Sequence, residues 1–125
     1  MKALLITAHG SRKQTSNSEI LDLVDAVGKM PENGFDIIMG AFIQYATPLF
    51  SEQVDVLVDR GASQIVVFPY FIAAGSHVLT DIPGLIEQAR TKYPHIDFKL
   101  IPHIGGLKGI KTFIVNEISA YLSTP

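Results

Sequence analysis

The chain has 125 residues, 47% of them hydrophobic, a net charge of −2 with histidine neutral, and no cysteine. That length suits one domain with a sizeable core. The lack of a basic surplus argues against a nucleic-acid partner, and the lack of cysteine excludes disulfides, thiolate metal sites and cysteine nucleophiles.

The start, MKALLITAHG, is apolar over a run far shorter than the ~20 residues of a membrane span. It also lacks a small-residue cleavage site of the signal-peptide kind, so no membrane partner and a cytoplasmic location are expected. Residues 3–8, ALLITA, read as a strand covered on both faces, as in parallel sheets. The run ends on His9, with Gly10, Ser11, Arg12 and Lys13 directly after it. Residues 16–29 change period: Ile20, Leu21, Leu23, Val24 and Val27 form a helical stripe, with Ser16 to Ser18 as caps. PENG then breaks the chain, and residues 35–43 form a second strand that tolerates Gly40 as a weak point. A second helix spans 47–61, with Thr47 as cap, Pro48 at the first helical position and Gly61 closing it. The third strand is 64–72, and Pro69 inside it demands a bulge or a strand end. It leads through Gly75 and Ser76 to His77. Residues 79–92 read as a helix whose start is blurred by Pro83 and Gly84. A fourth strand spans 96–101. The last helix runs from about 107 to 121, with Phe113, Ile114, Ile118 and Leu122 on one side.

Strands alternating with helices call for right-handed crossovers and a parallel sheet covered by helices. The expected fold is therefore α/β and flavodoxin-like: one domain, 1–125, with four parallel strands in the order 2-1-3-4 and helices on both faces. Chain direction reverses between strands 1 and 3, and ligands bind outside the carboxyl ends at such a switch point. His9 follows strand 1 and His77 follows strand 3, so topology alone sends both to one crevice.

Neutral imidazole binds borderline divalent metals and titrates near neutral pH. Two imidazoles fall short of the three or four protein ligands of a zinc site, which suits a metal in transit. The plainer alternative has His9 tying down a loop and His77 capping a helix. His95 follows Pro94 in a polar turn and reads as surface; His103 lies one strand further from the switch point. The loop HGSRKQTSNS also fits a phosphate-wrapping loop at a helix N-terminus, as in flavodoxin-like flavin binders. The glycine-rich nucleotide fingerprints and the serine-hydrolase elbow are absent, and Ala8 stands where histidine phosphatases carry arginine. Arg12 and Lys13 are either solvated or meet the carboxylates of an anionic substrate. Phe68, Tyr70 and Phe71 read as core and strand-face residues before a stacking platform.

HGSR at 9–12, FIQYATP at 42–48, FPYFIAAGSHVLTDIP at 68–83 and HIGGLKG at 103–109 together resemble the small sirohydrochlorin chelatases of the CbiX/SirB type. The resemblance runs the length of the chain and implies the class II chelatase fold. It implies insertion of a divalent metal, Co²⁺ first and Fe²⁺ or Ni²⁺ besides, into sirohydrochlorin or a related tetrapyrrole in cobalamin- or sirohaem-type biosynthesis. It implies no cofactor beyond the metal substrate, release of two protons, and a homodimer. His9 and His77 match the family's catalytic and metal-binding histidines. Gly10, Ser11, Arg12, Lys13, Gln44, Gly75 and Ser76 are expected to bind substrate. Arg12, Lys13 and Lys108 would meet its carboxylates, Gly10 and Gly75 would let the backbone approach its flat ring, and Asp81 would orient His77 or cap its helix. One departure stands out: the family usually has Phe-Leu-Glu where this chain has Phe-Ile-Gln. Gln44 cannot take a proton at neutral pH or attract a cation by charge. A non-catalytic tetrapyrrole or metal binder of the same fold is therefore the alternative.

Overall fold

The computed structural model describes residues 1–73 and 75–123, apart from the side chains of residues 76–79. In chain order the elements are β1 (Lys2–Ala8), α1 (Gln14–Gly28), β2 (Ile37–Phe42), α2 (Phe50–Asp59), β3 (Gln64–Pro69), α3 (Ser76–Lys92), β4 (Asp97–Leu100), a 3₁₀ turn (Ile104–Gly106) and α4 (Ile110–Leu122). The strands pair in parallel in the order β2-β1-β3-β4, as expected. The register sets Ala8 beside Phe42 and Thr7 beside Pro69, so β1, β2 and β3 end level with one another.

Side chains alternate across the sheet. Ala3, Leu5, Ala41, Ile65, Val67 and Phe98 point to one face and join Phe50, Val54 and Leu57 of α2 and Ile82 and Ile86 of α3 in a single buried cluster. The other face of β2 carries α1, with Gly40 lying against Leu21 and Val24. Helices thus cover both faces, two on one side and α1 on the other.

The element ends differ from the sequence pattern for local reasons. α1 starts at Gln14, two residues early, and Lys13 is its N-cap without a side-chain bond. Ser16 to Ser18 are therefore inside the helix rather than capping it. α2 starts at Phe50 after Leu49, so Thr47 and Pro48 precede it; the Glu52 carboxylate instead accepts the Leu49 N–H at 2.8 Å. Its far end closes as expected. Gly61 takes φ +96°, and the Ala62 and Gly61 N–H groups reach back to the Leu57 and Val58 carbonyls, both at 3.0 Å, the Schellman pattern that needs a left-handed residue. β3 stops at Pro69, which has no N–H to continue a ladder. α3 starts at Ser76, three residues early, and continues through Pro83.

α4 is the largest difference. Its stripe reads as core, yet Phe113, Ile114, Val115, Ile118, Tyr121 and Leu122 are all exposed. Among the described residues, no helix is long and apolar enough to cross a membrane.

Candidate functional site

Because β1 and β3 are neighbours, the loops that follow them emerge side by side. The Tyr70 N–H donates to the Thr7 carbonyl at 2.8 Å and ties the two together. His9, the first residue past β1, stands at the surface with its imidazole edge-on to the Phe71 ring, centroids 4.4 Å apart. Phe71 is itself buried, so a rigid aromatic wall backs the imidazole. Neither ring nitrogen of His9 hydrogen-bonds to a described residue, which leaves a lone pair open to a proton or a metal.

The β2 loop is fastened to the same place. The Ile43 and Gln44 N–H groups donate to the Ala8 and His9 carbonyls, both at 3.0 Å, extending the β1–β2 ladder beyond the strands. Gly10 is where the two loops meet. Its φ is +90°, and a Cβ there would lie 1.8 Å from the Gln44 carbonyl oxygen. A backbone crossing therefore fills the space beside Gly10 and gives this glycine a structural requirement of its own. Gln44 is exposed, and Tyr45 after it holds φ 63°, a left-handed conformation unfavourable to a bulky side chain. Its ring, 58% exposed, lies under the Arg12 guanidinium at 4.7 Å.

Ser11 and Asn17 close the loop on itself. The Ser11 N–H donates to Asn17 Oδ1 at 2.9 Å, Asn17 Nδ2 donates to the Ser11 carbonyl at 2.7 Å, and Ser11 Oγ accepts the Lys13 N–H at 3.0 Å. The Ser11 and Lys13 N–H groups, two donors that a phosphate loop could present, are thus already occupied. Asn17 is buried and was not singled out in the sequence, where it reads as one more cap in SNS. The signal for it is an amide side chain three residues into a helix that starts at Gln14. Arg12 and Lys13 make no ion pair with a described residue and stay exposed.

A cavity of about 400 Å³ opens beside His9 on the α1 side, lined by Ala8, Asn17, Ile20, Leu23, Phe42 and Tyr70 among others. It lies within the range of small-molecule sites. From the β3 side, Gly75 is the N-cap of α3, with φ −78° and open space where a Cβ would sit. Ser76 and His77 fall in the first turn of α3; their side chains lie outside those described. Asp81 is the sixth residue of that helix, too far in to cap it, which corrects the capping expectation. It is half-buried and borders a shallow hollow with Ile43 and Thr80.

The remaining candidates lie elsewhere. His103 precedes the 3₁₀ turn, with its ring against Gly106, and lines a separate hollow with Pro69, Ile82 and Leu100. The turn itself reaches the β3 loop, because the Gly105 N–H donates to the Phe71 carbonyl at 3.1 Å. His95 is exposed, edge-on to Tyr93. Lys108 is exposed before α4. Among the described residues no group of three or more His, Cys, Asp or Glu could hold a metal.

The CbiX family model matches residues 3–121. The chain is 30% identical over 129 residues to the sirohydrochlorin cobaltochelatase of Priestia megaterium, an alignment that covers 100% of this chain and 41% of that one. It is 29% identical over 102 residues to the chloroplastic sirohydrochlorin ferrochelatase of Arabidopsis thaliana, covering 82% of this chain and 44% of that one. The chain thus spans less than half the length of either relative. The crystal structure of the CbiX protein of Marinobacter aquaeolei superposes with a TM-score of 0.81 at 24% identity, over 98% of each chain, and shares the fold.

Proposed function

Since the chain belongs to the CbiX family, we propose that it is a sirohydrochlorin metal chelatase, inserting Co²⁺, Fe²⁺ or Ni²⁺ into sirohydrochlorin or a related tetrapyrrole with cobalt the first choice. Residues 1–125 work as one chelatase-like domain, in a homodimer, in the cytoplasm, on the route to a cobalamin- or sirohaem-type product. The observation that carries this reading is His9, whose imidazole is braced by Phe71 at 4.4 Å and has no hydrogen-bond partner among the described residues. It stands at the switch point, beside an apolar hollow and near two cations, Arg12 and Lys13, that make no ion pair with a described residue.

The chemistry asks for little more. Two pyrrole N–H protons leave the macrocycle as one M²⁺ enters, so no redox step and no nucleotide are needed. His9 and His77 act as the metal-handling pair and as general bases for those protons. Arg12 and Lys13, both without a carboxylate partner among the described residues, hold carboxylates of the macrocycle by charge-assisted hydrogen bonds, with Lys108 in reserve. Tyr45 supports Arg12 through its ring face. Gly75, open on its Cβ side, and Ser76 border the substrate. Gln44 sits beside His9 without acidity, so proton removal falls more heavily on the histidines.

Gln44 also favours one second reading, a protein that binds tetrapyrrole or metal without turnover. The flavodoxin-like phosphate module loses ground, because Asn17 Oδ1 and Ser11 Oγ take up the Ser11 and Lys13 N–H donors of that loop. Anaerobic absorbance separates the two remaining readings. Sirohydrochlorin is mixed with the protein, then with each metal in turn. Insertion faster than the protein-free control supports the chelatase. A spectral shift on binding, with no rate above that control for any metal, supports the carrier.

A further inference from the structure

We propose that Ile72 and Tyr45 carry the flat face of the macrocycle, one on each side of His9. The proposal rests on the tetrapyrrole-binding part of the reading above and names the side chains on which the ring lies.

Exposure singles the two out. Outside α4, Ile72 at 77% and Tyr45 at 58% are the most exposed large apolar side chains among the described residues; the next, Met30, is 47% exposed. Single exposed apolar side chains scattered over a surface need no explanation. Here the two extremes fall at one edge of the sheet, its carboxyl edge, in the loops that follow β3 and β2. Because the strand order is β2-β1-β3, His9, which follows β1, comes up between them. Neighbouring strands lie ~4.8 Å apart, so the loops leaving β2 and β3 are separated by about 10 Å with the β1 loop midway. A flat ring laid across both supports has its centre over the imidazole, with pyrroles on opposite sides over Ile72 and Tyr45.

Both supports stand on backbone that is already held. The Phe71 carbonyl accepts the Gly105 N–H at 3.1 Å, and a Cβ at Gly105 would lie 1.6 Å from the Ile72 carbonyl oxygen. The 3₁₀ turn is therefore packed directly on the Ile72 peptide. On the other side, the Gln44 N–H bond to the His9 carbonyl holds the β2 loop, and Tyr45 keeps φ 63°. A bulky residue adopts that conformation at a cost, and such strain recurs in ligand clamps. Backbone fixed before a ligand arrives lowers the ordering cost of binding. The Arg12 guanidinium, 4.7 Å from the Tyr45 ring centroid, adds a cation at that support. A ligand that is apolar over its face and anionic at its rim matches this arrangement, whereas a small ionic one such as inorganic phosphate leaves Ile72 uncovered.

The test titrates metal-free sirohydrochlorin anaerobically into the full chain and follows absorbance. Ile72→Ser and Tyr45→Asn should each weaken binding about tenfold, and Ile72→Leu and Tyr45→Phe should restore it to within about threefold of wild type. Asparagine tolerates the left-handed backbone, so the Tyr45 loop keeps its course. In methyl-labelled protein the Ile72 methyl signals should move upfield as the macrocycle binds, because its ring current acts on groups over its face. Binding within about twofold of wild type in either Ile72→Ser or Tyr45→Asn overturns the proposal, and so do Ile72 methyl signals that stay in place. An affinity loss in Ile72→Ser accompanied by a change of mass in light scattering also overturns it, since Ile72 then serves a contact between copies. These outcomes leave the tetrapyrrole reading standing. A wild type that gives no spectral change with sirohydrochlorin fails that reading and overturns the proposal with it.

Discussion

Replacing Gly10 by alanine tests whether the two loops beside His9 are locked as the structure has them. Two costs arise. Alanine at φ +90° meets the left-handed penalty of about 1–2 kcal/mol. Its Cβ also falls 1.8 Å from the Gln44 carbonyl oxygen, a backbone atom that can move only by dragging the β2 loop. That movement breaks the Gln44 N–H bond to the His9 carbonyl, worth about 1 kcal/mol. Together the loss is about 3 kcal/mol, or roughly 12 °C in Tm for a domain of this size. Gly75→Ala is the control, since nothing lies within 4 Å of its Cβ and its φ is −78°; its effect should stay within about 1 kcal/mol. Urea and thermal melts at one fixed protein concentration give both values. A loss below about 1 kcal/mol for Gly10→Ala, or an equal loss for Gly75→Ala, would refute the reasoning.

Further outcomes follow from the same geometry. Asn17→Ala leaves the Ser11 N–H and carbonyl without their partner and should cost about 2–3 kcal/mol, with Asn17→Asp, which keeps the acceptor, losing about half of that by urea melt. At Tyr45, held at φ 63°, Tyr45→Asn should be tolerated while Tyr45→Val loses about 1–2 kcal/mol more; the reverse order would remove the strain. At the far side of the fold, Asp55 accepts hydrogen bonds from the Tyr93 hydroxyl at 2.5 Å and from Lys92 Nζ at 3.0 Å. The Tyr93 hydroxyl, and then Lys92, hold the Asp55 carboxyl below its ordinary 3.8, while Asp55 raises Lys92 above 10.5 and Tyr93 above 10.0. A lowered acid contributes stability above its unfolded pKa and loses it as pH falls through the folded value. A raised lysine or tyrosine contributes below its unfolded pKa and loses it as pH rises through the folded value. Urea midpoints of wild type minus Asp55→Asn should therefore be flat from about pH 5 to 9 and shrink at both ends. A difference that persists unchanged below pH 3 would contradict the assignment.

Strand order and the meeting of the loops after β1 and β3 were legible because they follow from alternation and handedness, which composition and period reveal directly. Pro69 announced the end of β3 by its missing N–H, and Gly61 the end of α2 by its freedom at positive φ. The helix starts were less legible. Serines and threonine read as caps, yet Lys13 and Leu49 hold those positions, because tertiary contacts chose where each loop turned. Asn17 was hidden because a buried amide and a solvent-facing cap look alike until the helix start is known. Phe71 was legible as core but not as the wall behind His9, a role set by register. Glycine at position 10 could be seen, but not that a neighbouring carbonyl demands it. α4 misled most: a periodic apolar stripe reads as a face turned to the core, yet Phe113, Ile114, Ile118 and Leu122 stand exposed.

Metal insertion under single-turnover, anaerobic conditions tests the central claim most directly, with Co²⁺ and sirohydrochlorin and with wild type, His9→Ala and His77→Ala compared at matched folded concentration. General-base and metal-handling roles predict a loss of at least about 100-fold in each variant, with melting little changed for His9→Ala because its imidazole is exposed. Wild-type turnover that persists within about twofold in His9→Ala would place the chemistry elsewhere in the molecule and contradict the account.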